Sequence, residues 1–195
     1  MLHALLMAAQ LSAARPSPQW RHWPPGARVA VWLDTAHAPA DAAMLVERAM
    51  KNWSDASDGQ LTLVPAKSRA DAAIRIVFVA SENVYGEAAP RVDPATGFIA
   101  QADIAINSAV PPDRIDARIV VYLTALHELG HAIGLPHTDT FSAIMYRFQR
   151  PDDGERYFGA YRRLVRSADD VGVTASHLDP EDVRVFRGLY SRQQR

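Results

Sequence analysis

Residues 127 to 137 read HELGHAIGLPH, and no other stretch limits the architecture of this chain so sharply. The segment holds three of the seven histidines in 195 residues. His127 and His131 are four apart, so on a helix their imidazoles lie one turn, about 6 Å, apart on one face. A continuing helix would carry His137 about 9 Å further along the axis and onto another face. Gly134 can take a positive φ and reverse the chain, and Pro136 opposes a restart. The expected arrangement is a helix that stops between the second and third histidines, with His137 folded back so that all three imidazoles meet one ion. At this composition, five specified residues at such spacing arise by chance roughly once in 10^5 chains, which makes three unrelated surface or core histidines the weaker reading.

Three neutral imidazoles leave a fourth tetrahedral position open, the pattern of a catalytic rather than a structural zinc site. The chain has no cysteine, which excludes thiolate ligands, disulfides and a cysteine nucleophile. Zinc suits such a set best, and copper, nickel or cobalt could occupy it in vitro. Glu128 sits about 100° around the helix from His127, so it flanks the ion instead of binding it. Zinc lowers the pKa of water towards about 7, and a neighbouring carboxylate can take the proton and pass it to a leaving amine. The chemistry expected is peptide hydrolysis without a covalent intermediate. A zinc-bearing binding module without turnover is the alternative; loss of the base would be its simplest signature, and Glu128 is present.

The rest of the chain predicts the setting. Residues 27–34, 60–66, 72–80, 84–92 and 98–107 read as strands, the fourth a weak edge strand. Between Ala40 and Trp53, Ala43, Val46, Met50 and Trp53 recur at helical spacing. Asp113 is placed to cap the long helix that carries the motif, and residues 147–177 are charged and irregular, with Tyr157, Tyr161, Leu164 and Val165 on one helical face. Asp179, Pro180 and Asp182 punctuate the start of a final helix. These elements predict an α+β domain, a twisted mixed sheet of five strands backed by helices.

A net charge of −1 gives no electrostatic footprint for nucleic acid, and no stretch reaches the roughly 18 to 20 apolar residues of a membrane span. The partner expected is a peptide or protein substrate; the sequence does not fix the oligomeric state, and a monomer is favoured. Residues 2–14, apolar with small residues before Arg15, resemble the core and cleavage region of a secretory signal, although no Lys or Arg precedes them. A secreted or periplasmic location is one reading; a short apolar helix packed on the domain, or a mis-assigned start, is the other. On the first reading residues 1–19 are a leader and Pro-rich lead-in, and 20–195 are the folded domain.

HELGHAIGLPH resembles the long zinc-binding signature of the metzincin peptidases. SAIMY places Met145 eight residues after His137, and Thr138 follows the third histidine; both look like the matrixin branch. ADAAIRIVF, GEAAP, QADIAIN and LDPEDVRVFRGLY are similar to matrixin strands and the closing helix. The resemblance implies a metzincin (zincin-like) fold with two long helices and an active-site cleft between an upper lobe to about 134 and a small C-terminal lobe from about 135 that ends in a helix. It implies an endopeptidase with one catalytic zinc on His127, His131 and His137, Glu128 as base, and Met145 in a methionine turn. It also implies an edge strand around Glu87, Ala88 and Ala89 that aligns substrate. Departures are plain: no histidine cluster for a second zinc, no clear calcium motif despite Asp93, Asp103 and Asp113, no cysteine for a thiolate switch, and Arg147 where matrixins often carry proline. His177 reads as a solvated loop residue.

Overall fold

The computed structural model describes residues 21–81, 84–174 and 176–191. The apolar run at 2–14 and almost all of the lead-in lie outside the described residues. Five strands, β1 (Ala27–Leu33), β2 (Leu61–Pro65), β3 (Ile74–Val79), β4 (Gly86–Val92) and β5 (Ile99–Asn107), form one sheet in the order β2-β1-β3-β5-β4. All neighbours are parallel except β4, which runs antiparallel to β5. Its outer side is the rim of the sheet, and it tolerates Pro90 because an edge position does not require every N–H to pair.

Two long helices, α1 (Ala42–Ala56) and α2 (Arg114–Ala132), cover one face. The strands alternate to meet them: Val29 and Val31, Ile74, Ile76 and Phe78, and Ala102, Ile104 and Ile106 are buried. On α1 the buried stripe is Ala42, Leu45, Val46, Ala49, Met50 and Trp53. Ala43, expected on that stripe, is exposed, because the burial phase is set by Leu45 and Ala49. Trp53 Nε1 donates to Leu126 O at 2.8 Å, and Trp23 Nε1 donates to Ala132 O at 2.9 Å at the end of α2. These indoles fix how α2 sits and satisfy a carbonyl that the helix end leaves free.

Two shorter helices follow, α3 (Asp153–Arg162) and α4 (Pro180–Ser191). Tyr157 and Tyr161 of α3 and then Val165 are buried, but Leu164 lies beyond the helix and is exposed. The segment after α3 is held by arginines from the long helices. Buried Arg118 donates to Ala168 O at 2.6 Å and Asp169 at 2.8 Å, and Arg48 donates to Val171 O. His177 is not solvated as its sequence context suggests: it packs edge-on against the rings of Tyr157 and Tyr161, at 5.2 and 5.0 Å. Burial pushes its imidazole below the usual histidine range.

Candidate active site

Asp113 caps α2 by accepting the N–H groups of Ile115 and Asp116 at 2.9 and 3.0 Å. Nineteen residues later the helix ends as its sequence demands. Gly134 stands at φ +106°, its N–H donates to His131 O, and the N–H of Leu135 donates to Gly130 O at 2.9 Å. That pair of bonds is a Schellman cap, available here because glycine carries no Cβ. The cap turns the Leu135 carbonyl towards the helix, where it lies 2.9 Å from His131 Nδ1. The helix terminus therefore also sets a ligand's tautomer.

His127 is fixed in the same way by another element, its Nδ1 lying 2.6 Å from Ile144 O in the methionine turn. A carbonyl can only accept, so both rings carry their proton on Nδ1 and present Nε2 as a lone pair. His137 comes back beneath them: its Nε2 lies 3.3 Å from that of His127 and 3.1 Å from that of His131. Donors about 2.05 Å from a common centre at tetrahedral angles are spaced by about 3.3 Å, so this triad fits a zinc ion. Burial first, and then the neighbouring rings, hold His127 down to about 3, with His131 and His137 also lowered. The imidazoles are thus kept neutral, the form that binds metal. Among the described residues, His127, His131 and His137 are the group whose atoms could hold an ion.

The methionine turn is anchored from both sides. Thr138 N–H donates to Met145 O at 2.9 Å and Arg147 N–H to Thr138 O at 3.0 Å, zipping the loop of the third histidine to the turn. Below, Asp182 of α4 accepts the N–H of Ile144 at 2.7 Å and of Met145 at 3.2 Å. The same carboxylate accepts Asp179 N–H at 3.0 Å, so the capping box legible in the sequence has a second task. Burial raises Asp182 to about 6 against the lowering effect of these bonds. Tyr146 is a packed aromatic whose hydroxyl donates to buried Asp153 at 2.8 Å.

Glu128 is 5% exposed and lines a cleft of about 340 Å³ with His127 and His137. Burial, then the charge of Glu87, pushes its carboxyl up to about 7. Gly86, at the start of β4, lies against it; a Cβ there would fall 2.8 Å from Glu128 Cγ and 2.8 Å from Thr124 Cγ2. The rest of the lining includes Leu123, Ile144, Arg147 and an aromatic set from three segments of the chain, Tyr85, Phe148, Tyr157 and Phe158. The wall is not legible in the sequence, because Tyr85 joins Phe148, Tyr157 and Phe158 from a segment far upstream of α2.

Of the edge-strand residues, Ala88 pairs with buried Ile104 and lies with Pro90 and Val92 along a second depression that ends at His131 and Leu135. Glu87 and Ala89 pair with Ala105 and Asp103 and are exposed on the other face. Asp93 accepts Ala95 N–H and Thr96 Oγ1 in its turn, Asp113 serves as a cap, and Asp103 pairs with Arg75 and Arg91.

A broken helix with three converging imidazoles, a buried carboxylate beside them and a methionine turn beneath them is the layout that the motif implied. Sequence comparison agrees: the matrixin family model matches residues 32–158, from the last residues of β1 into α3. The chain belongs to the matrixin family of zinc metallopeptidases.

Proposed function

We propose that the protein is an endopeptidase in which Glu128 is general base and then general acid. The observation that carries this is a nearly buried carboxylate opening on the cleft that His127 and His137 share. A zinc ion on the three histidines would polarise the scissile carbonyl and lower the pKa of water beside it. Glu128 Oε would accept the proton of the attacking water and return it to the leaving nitrogen. The Nδ1 bonds of His127 and His131 to backbone carbonyls hold the ligands in place through that cycle.

Substrate would add to the free edge of β4 as an antiparallel strand. Its residues before the scissile bond would then lie towards Pro90 and Val92, and those after it towards Gly86. The first leaving-side side chain enters the apolar cleft between Leu123 and the aromatic wall, and a large apolar residue matches that lining.

Casein or gelatin cleavage by the wild type and by Glu128→Ala, with zinc content measured in both, tests the proposal. Loss of turnover with zinc retained is expected. Equal activity in the two proteins removes Glu128 from the mechanism; no activity in either, with zinc bound, points to a binding module.

A further inference from the structure

Two of the three imidazoles owe their orientation to a backbone carbonyl, Ile144 for His127 and Leu135 for His131. Among the described residues His137 has no such bond, it stands outside the helix, and it is the exposed member of the triad. Its placement must come from its loop. The neighbouring backbone is zipped to the methionine turn through Thr138, and the loop's other side is held from α4. There Glu181 Oε1 accepts Thr138 Oγ1 at 3.1 Å, and Oε2 accepts Thr140 Oγ1 at 2.6 Å. Thr140 N–H in turn lies 3.2 Å from Thr138 Oγ1, which closes a small ring of bonds directly after the ligand. The cap of α4 does not use this carboxylate: Asp179 and Asp182 form it, and Glu181 contributes only its N–H, at 2.8 Å from Asp179 Oδ1.

We propose that Glu181 is the positioning residue of the third metal ligand, gripping both threonine hydroxyls so that His137 is presented to the ion already oriented. The inference rests on the three imidazoles being a metal site. Glu181 touches neither metal nor substrate; it acts by reducing the freedom that His137 loses on binding, and so by slowing metal release.

The test is zinc affinity of the full chain, read by competition with a chromophoric chelator, beside thermal unfolding of the metal-free form. Glu181→Ala is expected to bind zinc about tenfold more weakly, the lower end of the range for loss of an outer-shell partner. Glu181→Gln, which keeps one acceptor oxygen, should lose less. In a Thr138→Val/Thr140→Val background Glu181→Ala should add nothing, since the hydroxyls through which it acts are gone. The absorption bands of the cobalt-loaded protein should also shift in Glu181→Ala. Unchanged zinc affinity with a lowered thermal midpoint would reduce Glu181 to a favourable charge at a helix N-terminus and overturn the inference, as would full additivity with the threonine changes. If Glu181→Ala does not fold, the Gln variant decides in the same way: wild-type affinity sinks the idea. A wild type that holds no zinc overturns the metal site itself, a separate failure.

Discussion

Gly130 and Met145 are in such close contact that a Cβ on the glycine would overlap the methionine sulfur, with Trp53 Cζ2 at 3.1 Å closing the other side. The glycine lies between Glu128 and His131 in the motif, and the methionine eight residues past His137, so this contact is where the turn supports the metal helix. Gly130→Ala should therefore cost about 1–3 kcal/mol through overpacking. Thermal unfolding with and without zinc measures it, and a midpoint equal to the wild type would contradict the contact.

Gly134 makes a second demand, for backbone shape. At φ +106° and with the Arg21 carbonyl where a Cβ would go, Gly134→Ala is expected to lose about 1–3 kcal/mol and to loosen the cap that aims Leu135 O at His131. Gly159 in α3 is the control: it has open space and no positive φ, so Gly159→Ala should be neutral or stabilise by about 0.5–1 kcal/mol. Unfolding free energies of the two variants, from denaturant titration, should differ by more than about 1 kcal/mol, with Gly134→Ala the less stable.

The site's titrations give the metal-free protein a defined pH response. The histidines are held below their unfolded value of 6.5, so their contribution is present above that pH and is lost as pH falls towards 3. Glu128 has the opposite sign: raised from 4.5 to about 7, it favours the fold at low pH and loses that advantage as pH rises through 7. Asp182, raised to about 6, acts in the same sense as Glu128. Below about 4.5 the carboxyls are protonated in both the folded and unfolded states and give no further gain, while His127 still opposes protonation, so stability should fall on acidification through that range. Glu128→Gln removes one of the opposing contributions, so between about 7 and 4.5 its stability should gain less on acidification than the wild type's; above pH 7 the variant should be more stable than the wild type by up to about 3 kcal/mol, since no buried charge remains. Melting curves across this range check both, and parallel curves would refute the assignment.

Phe158 closes the cleft from α3, with its ring 4.9 Å from that of Tyr85 and 6.2 Å from that of Phe148. If this wall selects the leaving-side residue, Phe158→Ala should reduce discrimination between a large apolar and a small side chain by about ten- to a hundredfold in kcat/KM. Cleavage profiles from a peptide library would display the change; an unaltered preference places selection elsewhere.

The order of five strands and two long helices was legible because each has its own periodicity, and both helix caps because Asp113 and Asp179 stand where free N–H groups need acceptors. His177 and Ala43 were misjudged for a shared reason. A short polar context says nothing about which distant rings, here Tyr157 and Tyr161, will cover a residue, and small alanines do not fix the phase of an amphipathic stripe.

The triad belongs to the sequence alone: the spacing of His127 and His131 is a property of helical geometry, and Gly134 and Pro136 dictate the reversal that returns His137. Tertiary structure decided what surrounds it. The Ile144 carbonyl on His127, the Asp182 carboxylate under the methionine turn, the Glu181 grip on two threonines and the aromatic wall of the cleft join segments between 17 and more than 70 residues apart. Local periodicity carries no information about such pairings, because they come into being only when separate elements bury a common core.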